Sequence, residues 1–193
     1  MSVPVRQRSG DGVAVLTIDR PPQNLLTAEV RAALSDAVAA ARRDPAASAI
    51  LIEAAGPNFC TGVPIEDPGD PEREPRLAAL CSEVEECGKP VIAALQGLAL
   101  DGGLELALAA HYRIAAREAR LGLPEVTLGL LPEGGTTQRL PRLAGTAEAL
   151  ELLLTGLPLD AARARQIGLV DRLADGPLPA AARAWAAELV AEG

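Results

Sequence analysis

The sequence has 193 residues, 49% of them apolar, which is the length and balance of one compact domain with a sizeable core. Its formal net charge of −8 and its single lysine, Lys89, exclude a broad basic surface for binding nucleic acid. No apolar run approaches the roughly 20 residues that cross a bilayer, and the first residues lack a secretory signal, so we expect a soluble, cytoplasmic protein.

The first half of the sequence alternates predicted strands with predicted helices. The apolar run Val13–Ile18 stops at two prolines and predicts a buried strand. Apolar residues at helical spacing then predict a helix that begins after an N-cap at Thr27 and ends at Arg42-Arg43. The pattern next predicts a strand at residues 49–52, a mobile loop from Pro64 to Pro75, an amphipathic helix from Leu77 to about Gly88 and a strand at residues 91–95.

The second half continues this alternation. It predicts a helix from about Gly103, a strand at residues 112–115, helices at residues 146–155 and 160–167, and one amphipathic helix within residues 177–193. Strands that alternate with crossing helices are typical of an α/β layered domain. We therefore predict a core domain over residues 1–175, followed by a C-terminal helix within residues 176–193.

The cysteines and the histidine do not indicate a metal site. Cys60, Cys81 and Cys87 lack the spacing of zinc ligands or of a disulfide framework, which favours reduced thiols in an intracellular protein. His111 follows the predicted Glu105 helix without a visible nucleophile, and we interpret it as a structural or surface residue. We therefore expect no bound metal.

Two acids lie where a carboxylate is costly to place. Glu105 is in a segment that is apolar on every helical face, and Glu125 has similarly apolar neighbours. Burial raises the pKa of a carboxyl group, which suits a group that exchanges protons near neutral pH. The alternative interpretation is a pair of structural glutamates that are satisfied by backbone donors or by an arginine.

A pair of glycines, Gly102-Gly103, precedes the Glu105 helix. Glycine lets a ligand approach the backbone closely, and the first N–H groups of a helix carry partial positive charge. This segment can hold an oxyanion, although a Gly-Gly pair is also ordinary turn chemistry.

Three segments together resemble the central signature of the enoyl-CoA hydratase/isomerase (crotonase) superfamily. They are residues 97–108 with Gly102-Gly103-Leu104-Glu105, residues 123–132 with Leu123-Pro124-Glu125, and residues 138–145 with Gln138-Arg139-Leu140. The resemblance extends from Val13 to about Leu173 and is nearest to the hydratase region of multifunctional fatty-acid oxidation enzymes. It implies an α/β fold built as a spiral of repeated ββα units, here with a shortened C-terminal helical region.

In that superfamily two backbone N–H groups hold the thioester oxygen of a bound acyl-CoA. The resemblance implies that Val63 and Gly102 supply these donors, and that Cys60, Gly62 and Gly103 contribute to substrate binding. It also implies that no cofactor is needed, because coenzyme A is part of the substrate.

The loop that carries Val63 departs from the superfamily pattern, in which Ala-Gly is followed by a small residue and an aspartate. This sequence reads Thr61-Gly62-Val63-Pro64. Because the donor is a backbone group, Val63 can still serve, whereas Pro64 alters the course of the loop and its contacts with coenzyme A.

The two superfamily glutamates match Glu105 and Glu125. The resemblance implies that Glu105 chiefly activates water for attack at the β-carbon and that Glu125 chiefly protonates the α-carbon. The implied activity is therefore hydration of a trans-2-enoyl-CoA.

Glu133 is an additional acid, at a position where hydratases commonly have small residues. Dienoyl-CoA isomerases of the same superfamily have an acid at what looks like this position, so an isomerase that uses Glu125 and Glu133 is the main alternative. The other interpretation of Glu133 is a solvent-exposed residue near a helix N-terminus.

A non-catalytic scaffold on the same fold is a third possibility, which the presence of both Glu105 and Glu125 disfavours. Because the helical region after Val170 resembles only part of that of the superfamily, we expect uncovered apolar surface. We therefore predict a homo-oligomer, or docking with a dehydrogenase-type partner, with Trp185 buried in the contact or against its own core.

Overall fold

The structure, a computed structural model, describes residues 3–64 and 75–192. The strands are β1 Val5–Gly10, β2 Val13–Ile18, β3 Ala49–Ala54, β4 Val91–Leu95, β5 Leu98–Leu100, β6 Tyr112–Ala115, β7 Arg120–Gly122, β8 Leu159–Asp160 and β9 Arg172–Leu173. The α-helices are α1 Ala28–Arg43, α2 Leu77–Glu85, α3 Gly102–Ala109, α4 Thr136–Ala144, α5 Thr146–Thr155, α6 Ala161–Gln166 and α7 Leu178–Glu192, and a 3₁₀ helix covers Pro124–Leu128.

The strands form two sheets. The larger sheet has the order β1-β2-β3-β4-β6-β9, and all its pairs are parallel except the antiparallel pair of β1 with β2. The smaller sheet has the order β5-β7-β8, and an isolated bridge joins Cys60 to Ala99 of β5. This architecture confirms the predicted α/β fold.

The central strands of the larger sheet are buried on both faces. Alternate residues of β2 point into two different cores: Leu16 belongs to the main core, whereas Val15 belongs to a smaller cluster that includes residues of α7. A strand that is buried on both faces has mainly apolar residues on both faces, which explains why the sequences of β2 and β4 are nearly continuous apolar runs.

Helix α7 packs across β2, β3, β4 and β6 through the smaller cluster. Trp185 is only 5% exposed, and its ring meets Tyr112 edge-on with centroids 5.6 Å apart. Its other neighbour is the Arg172 guanidinium, which lies 4.6 Å from the ring centroid. Trp185 therefore packs against its own core, which is one of the two environments expected from the sequence.

Most predicted elements are found at their predicted positions. Thr27 is the N-cap of α1, and its side chain accepts a hydrogen bond from the Val30 N–H at 3.3 Å. The mobile loop predicted between Pro64 and Pro75 lies outside the described residues. None of the described helices is both long and apolar enough to cross a bilayer.

Candidate active site

Glu105 lies in the first turn of α3, a helix whose eight residues are all buried. Its side chain accepts hydrogen bonds at Oε1 from the Gly134 N–H and from the Thr136 hydroxyl, both at 2.8 Å. Burial raises the pKa of Glu105, and these two hydrogen bonds oppose that rise because they stabilise the charged form. Glu105 is thus a buried carboxylate with donors on one oxygen.

A cationic side chain holds the loop that supplies one of these donors. Arg139 of α4 donates to the Gly134 carbonyl, and it also pairs with Glu85 of α2 at 2.7 Å. A Cβ at residue 134 would lie 3.0 Å from the Glu105 Cβ, a tight contact that Glu105 could accommodate only by shifting. The loop therefore approaches Glu105 through its backbone.

Glu125 lies in the 3₁₀ helix, directly after Pro124 at its first position. The residue is 3% exposed, and neither carboxyl oxygen has a hydrogen-bond partner among the described residues. Burial raises the pKa of Glu125 to about 7, and the nearby charges of Asp101 and Glu105 add to the rise. Near neutral pH this group can both give and take a proton.

The two glutamates have different environments. Glu105 has two hydrogen-bond donors that favour its charged form, whereas Glu125 has no donor among the described residues. The charge of Glu105 also raises the pKa of Glu125, so the two groups lie in one electrostatic field. Such a pair can hold one carboxylate and one carboxylic acid at the same time, which is the requirement for a base and an acid acting together.

The predicted oxyanion donors lie side by side at the start of α3. A Cβ added to Gly102 would lie 2.7 Å from the Val63 Cγ2 and 3.6 Å from the Val63 nitrogen, so the two residues are close neighbours and only glycine fits at residue 102. Gly102 is the first residue of α3 and has no intrahelical acceptor for its N–H. The chain at Gly103 also packs directly on the Cys60 backbone, where a Cβ would lie 2.9 Å from the carbonyl carbon.

The Val63 N–H, however, is already hydrogen-bonded. It donates to Oδ2 of Asp101 at 2.7 Å. Asp101 has a φ of 50° and a ψ of −132°, a conformation that residues with a side chain rarely adopt. Asp101 was not predicted from the sequence as a site residue. The available signal was an acid directly before Gly102-Gly103 in an otherwise apolar segment.

The other candidate residues lie around this centre in different ways. Glu133 has an exposed side chain. Cys60 is fully buried, burial raises the pKa of its thiol to about 12, and its sulfur accepts a hydrogen bond from the Gly62 N–H at 3.4 Å. Cys60 is therefore an uncharged thiol that stabilises the turn at Gly62.

His111 accepts a hydrogen bond at Nδ1 from the Val91 N–H at 3.0 Å, which agrees with the interpretation of His111 as a structural residue.

A separate cleft lies at the carboxyl ends of β3, β4 and β6, beside α7. Its volume is about 630 Å³, and charged side chains in its wall include Glu53, Arg117 and Arg183. Neither Glu105 nor Glu125 lines it. Within the described residues, no group of three or more His, Cys, Asp or Glu side chains could hold a metal ion.

Comparisons with known proteins agree with this geometry. The family model described as enoyl-CoA hydratase/isomerase matches residues 8–193. The peroxisomal bifunctional enzyme of Danio rerio is 48% identical over 163 residues, which cover 84% of this chain and 23% of that protein. A probable enoyl-CoA hydratase of Bacillus subtilis (strain 168) is 43% identical over 165 residues, which cover 82% of this chain and 64% of that protein.

A solved structure shows the same fold. The enoyl-CoA hydratase subunit I of Geobacillus kaustophilus HTA426 is 34% identical and superimposes with a TM-score of 0.89, covering 97% of this chain and 76% of the other. This agreement confirms the crotonase-like fold that the resemblance implied. The chain spans about a quarter of the length of the Danio relative and less than two thirds of the Bacillus relative.

Proposed function

The chain belongs to the enoyl-CoA hydratase/isomerase family, and from this membership we propose that it adds water across the 2,3 double bond of a trans-2-enoyl-CoA. The observation that carries the proposal is the pair of buried glutamates. One of them, Glu105, is held by two hydrogen-bond donors, and the other, Glu125, has a pKa of about 7. These are the properties that a base and an acid need in order to act in one step.

The two environments support one division of roles. Glu105 keeps one carboxylate oxygen on its donors and uses the other to take a proton from water, which attacks the β-carbon of the substrate. Glu125, in its protonated form, delivers a proton to the α-carbon. The product is the 3-hydroxyacyl-CoA, and the proton taken up at Glu105 returns to Glu125 through exchange with solvent before the next turnover.

The thioester oxygen needs donors as negative charge develops on it. Val63 and Gly102 are close neighbours, and Gly102 adds the positive end of α3. Removing one aligned donor from such a site typically lowers the rate roughly 100- to 1,000-fold. We assign the thioester oxygen to these two donors.

Hydration is a better match to the geometry than the isomerase alternative. An isomerase that used Glu133 would need this residue as a second proton-transfer group, whereas its side chain is exposed and lacks the apolar burial of Glu105 and Glu125. A non-catalytic scaffold is also disfavoured, because a buried carboxyl group that has no hydrogen-bond donor among the described residues, such as that of Glu125, destabilises a fold that gains nothing from it.

The test is turnover of crotonyl-CoA, followed by the loss of the conjugated enoyl-thioester absorbance. We expect Glu105→Gln and Glu125→Gln each to lower turnover about 100-fold or more while the fold remains intact. We expect the double variant to be little worse than either single variant, because the two groups act as a unit. Glu118→Gln, an exposed glutamate in the wall of the separate cleft, serves as the control.

Near wild-type turnover by either single variant, with correct folding, would contradict the two-glutamate mechanism. Glu133→Gln separates hydration from isomerisation: it changes hydration by a few-fold at most, whereas it abolishes double-bond migration if the isomerase alternative is correct. Proton exchange in deuterated water, measured at the α- and γ-carbons of the substrate, reports at which of these carbons the protein adds or removes a proton.

A further inference from the structure

Asp101 is the N-cap residue of α3, but its side chain does not cap the helix. An aspartate at this position normally accepts a hydrogen bond from the N–H of the second or third helical residue. Here the carboxylate turns the other way and accepts from the Val63 N–H at 2.7 Å. The side chain therefore forms its hydrogen bond with a residue 38 positions away in the sequence and not with its own helix.

The backbone around Asp101 holds the carboxylate in this place. The Asp101 N–H donates to the Gly122 carbonyl, and the Asp101 carbonyl accepts from the Glu105 N–H, both at 3.0 Å. The positive φ of Asp101 is a strained conformation for a residue other than glycine. Such strain persists only where the surrounding structure fixes it.

The opposite wall of this contact is Gly62. A Cβ at residue 62 would lie 2.8 Å from the Asp101 Cβ and 2.9 Å from its carboxyl carbon, so only glycine allows the approach. The Gly62 carbonyl in turn accepts from the Leu26 N–H at 2.9 Å, which fixes the turn that presents Val63. The positions of both Asp101 and Val63 are therefore fixed by backbone hydrogen bonds and close packing around them.

The contact conflicts with the role of Val63 in the proposed function. The Val63 N–H is one of the two donors that we assign to the thioester oxygen, and a donor that faces Asp101 is not free for that oxygen. An anionic carboxylate at this position would also repel the negative charge that develops on the thioester during reaction. Among the residues that the structure describes, the titratable groups that interact with Asp101 are Glu105, the Cys60 thiol and Glu125, whose pKa the Asp101 carboxylate raises both through its charge and through a direct side-chain interaction; none of these three carries positive charge.

We propose that Asp101 is an internal competitor for the oxyanion hole: its carboxylate occupies the Val63 N–H in the free protein, and a bound acyl-CoA displaces it. The inference rests on the proposed function, since it takes the ligand to be a CoA thioester. Asp101 thereby sets the affinity of the site for the thioester carbonyl and leaves the affinity for the rest of the coenzyme A moiety unchanged. Asp101 is a specificity-determining residue in this sense, and it acts on the thioester carbonyl through the Val63 N–H.

Two variants separate the hydrogen bond from the charge. Asp101→Gly removes the competitor and suits the positive φ, whereas Asp101→Asn keeps an acceptor oxygen without the charge. Because a hydrogen bond to a charged group is among the stronger ones, we expect Asp101→Gly to bind butyryl-CoA roughly tenfold more tightly or better. We expect a smaller gain, of about two- to fivefold, for Asp101→Asn, because a neutral acceptor competes less strongly.

The matched ligand is S-butyl-CoA, a thioether that lacks the carbonyl group. It carries the same phosphates, so any general effect of removing one negative charge alters its affinity as much as that of butyryl-CoA. We expect Asp101→Gly to change its dissociation constant by less than about twofold. Titration calorimetry of both ligands with the wild type and both variants gives the comparison.

A second measurement observes the contact directly. In the free wild-type protein, we expect the Val63 amide proton to resonate far downfield and to exchange slowly, as a short hydrogen bond to a carboxylate requires. We expect the resonance to move upfield in Asp101→Gly. In the wild type, butyryl-CoA shifts it and S-butyl-CoA leaves it in place.

The outcomes distinguish this inference from the proposed function. Three results would each overturn the competitor role, even in an active hydratase. They are an equal gain in affinity for the thioester and the thioether in Asp101→Gly, no gain in affinity for either ligand, and a Val63 resonance that Asp101→Gly does not move. Displacement by butyryl-CoA without turnover of crotonyl-CoA would retain the competitor role and overturn the hydratase assignment. If neither ligand binds to the wild type or to Asp101→Gly, both proposals fail.

Discussion

At the scale of single residues, the chemistry depends on how differently two buried carboxyl groups are solvated. Glu105 has lost water but has gained the Gly134 N–H and the Thr136 hydroxyl, whereas Glu125 has lost water and gained no partner among the described residues. The nature of both residues as buried acids could be predicted from their apolar neighbours. Their different partners could not, because the donors come from α4 and the loop before it.

The pKa of Glu125 predicts how the reaction responds to pH. If Glu125 delivers a proton to the α-carbon, it must be protonated in the free protein, so kcat/KM should fall as the pH rises through about 7. The measurement is the initial rate of crotonyl-CoA hydration at subsaturating substrate between pH 5.5 and pH 9. A rate that is flat across neutral pH would argue against Glu125 as the acid.

The same residue predicts how stability responds to pH. The pKa of Glu125 is raised in the folded state from 4.5 to about 7, so the folded protein binds this proton more tightly than the unfolded chain does. The associated stability is fully present below the unfolded value and is lost as the pH rises through about 7. We therefore expect Glu125→Gln to stabilise the protein at pH 8 by about 1–3 kcal/mol and to change it much less at pH 4.5.

Thermal unfolding of the wild type and Glu125→Gln at the two pH values measures this difference. Glu118→Gln, an exposed residue, is the control and should show no such dependence. Equal stability of the wild type and Glu125→Gln at pH 8 would show that the Glu125 carboxyl is solvated or partnered in solution.

At the scale of elements, helices and strands could be predicted from the sequence where their own residues show a clear hydrophobic pattern. The bounds predicted for β2, β4, β6 and α5 are those of the structure, because each begins and ends at a change in hydrophobic pattern. The first strand, β1, was missed because residues 6–10 are exposed and show no apolar alternation. Its signal was the turn at Asp11-Gly12, where both residues have positive φ as a tight hairpin requires.

The site was harder to predict for a related reason. The direction of the Asp101 side chain depends on a backbone conformation that is fixed by contacts with Gly62 and Gly122, both distant in sequence. Helix α4 was also missed, and with it the Thr136 donor to Glu105. A sequence pattern can identify an acid in apolar surroundings, but it does not show which groups surround that acid in space.

The start of α4 leads to a prediction about how elements support the site. Arg139 joins α4 to Glu85 of α2 and to the Gly134 carbonyl, which keeps the Gly134 N–H directed at Glu105. We expect Arg139→Ala to lower kcat about tenfold or more with a smaller effect on KM, since the base loses its orientation. Arg142→Ala, an exposed residue on the same helix, is the matched control and should retain wild-type turnover.

The outcome that opposes this argument is a loss of stability in Arg139→Ala with kcat unchanged. Such a result would mean that Arg139 only fastens α2 to α4. Arg139→Lys helps to separate the two effects, because it keeps the charge beside Glu85 but lacks the planar guanidinium that reaches two acceptors at once.

At the scale of the whole molecule, apolar side chains remain on one region of the surface. Leu154 and Leu157, at the end of α5 and just after it, are 70% and 67% exposed, and Leu131, after the 3₁₀ helix, is 83% exposed. Helix α5 contacts the 3₁₀ helix that carries Glu125, so this apolar surface lies near the candidate active site. Where exposed apolar side chains form one continuous patch, the patch usually marks an interface.

The prediction of a homo-oligomer can be tested on this surface. We expect light scattering at micromolar concentration to give a mass above that of one chain, and Leu154→Asp to shift the protein towards the monomer. Leu154 is exposed, so the substitution should leave the unfolding temperature of the monomer nearly unchanged. A wild type that is strictly monomeric and fully active would remove the prediction.

The packing of Trp185 gives the molecule its own optical probe. It is the only tryptophan in the sequence, and it lies between β6 and β9 residues on the face of the sheet that α7 covers, away from both glutamates. Its fluorescence emission should therefore be blue-shifted while α7 is docked and should move to longer wavelength when the helix separates. Emission and catalytic turnover thus report on opposite faces of the same sheet. Following both during a denaturant titration would reveal whether the two halves of the fold lose their structure together.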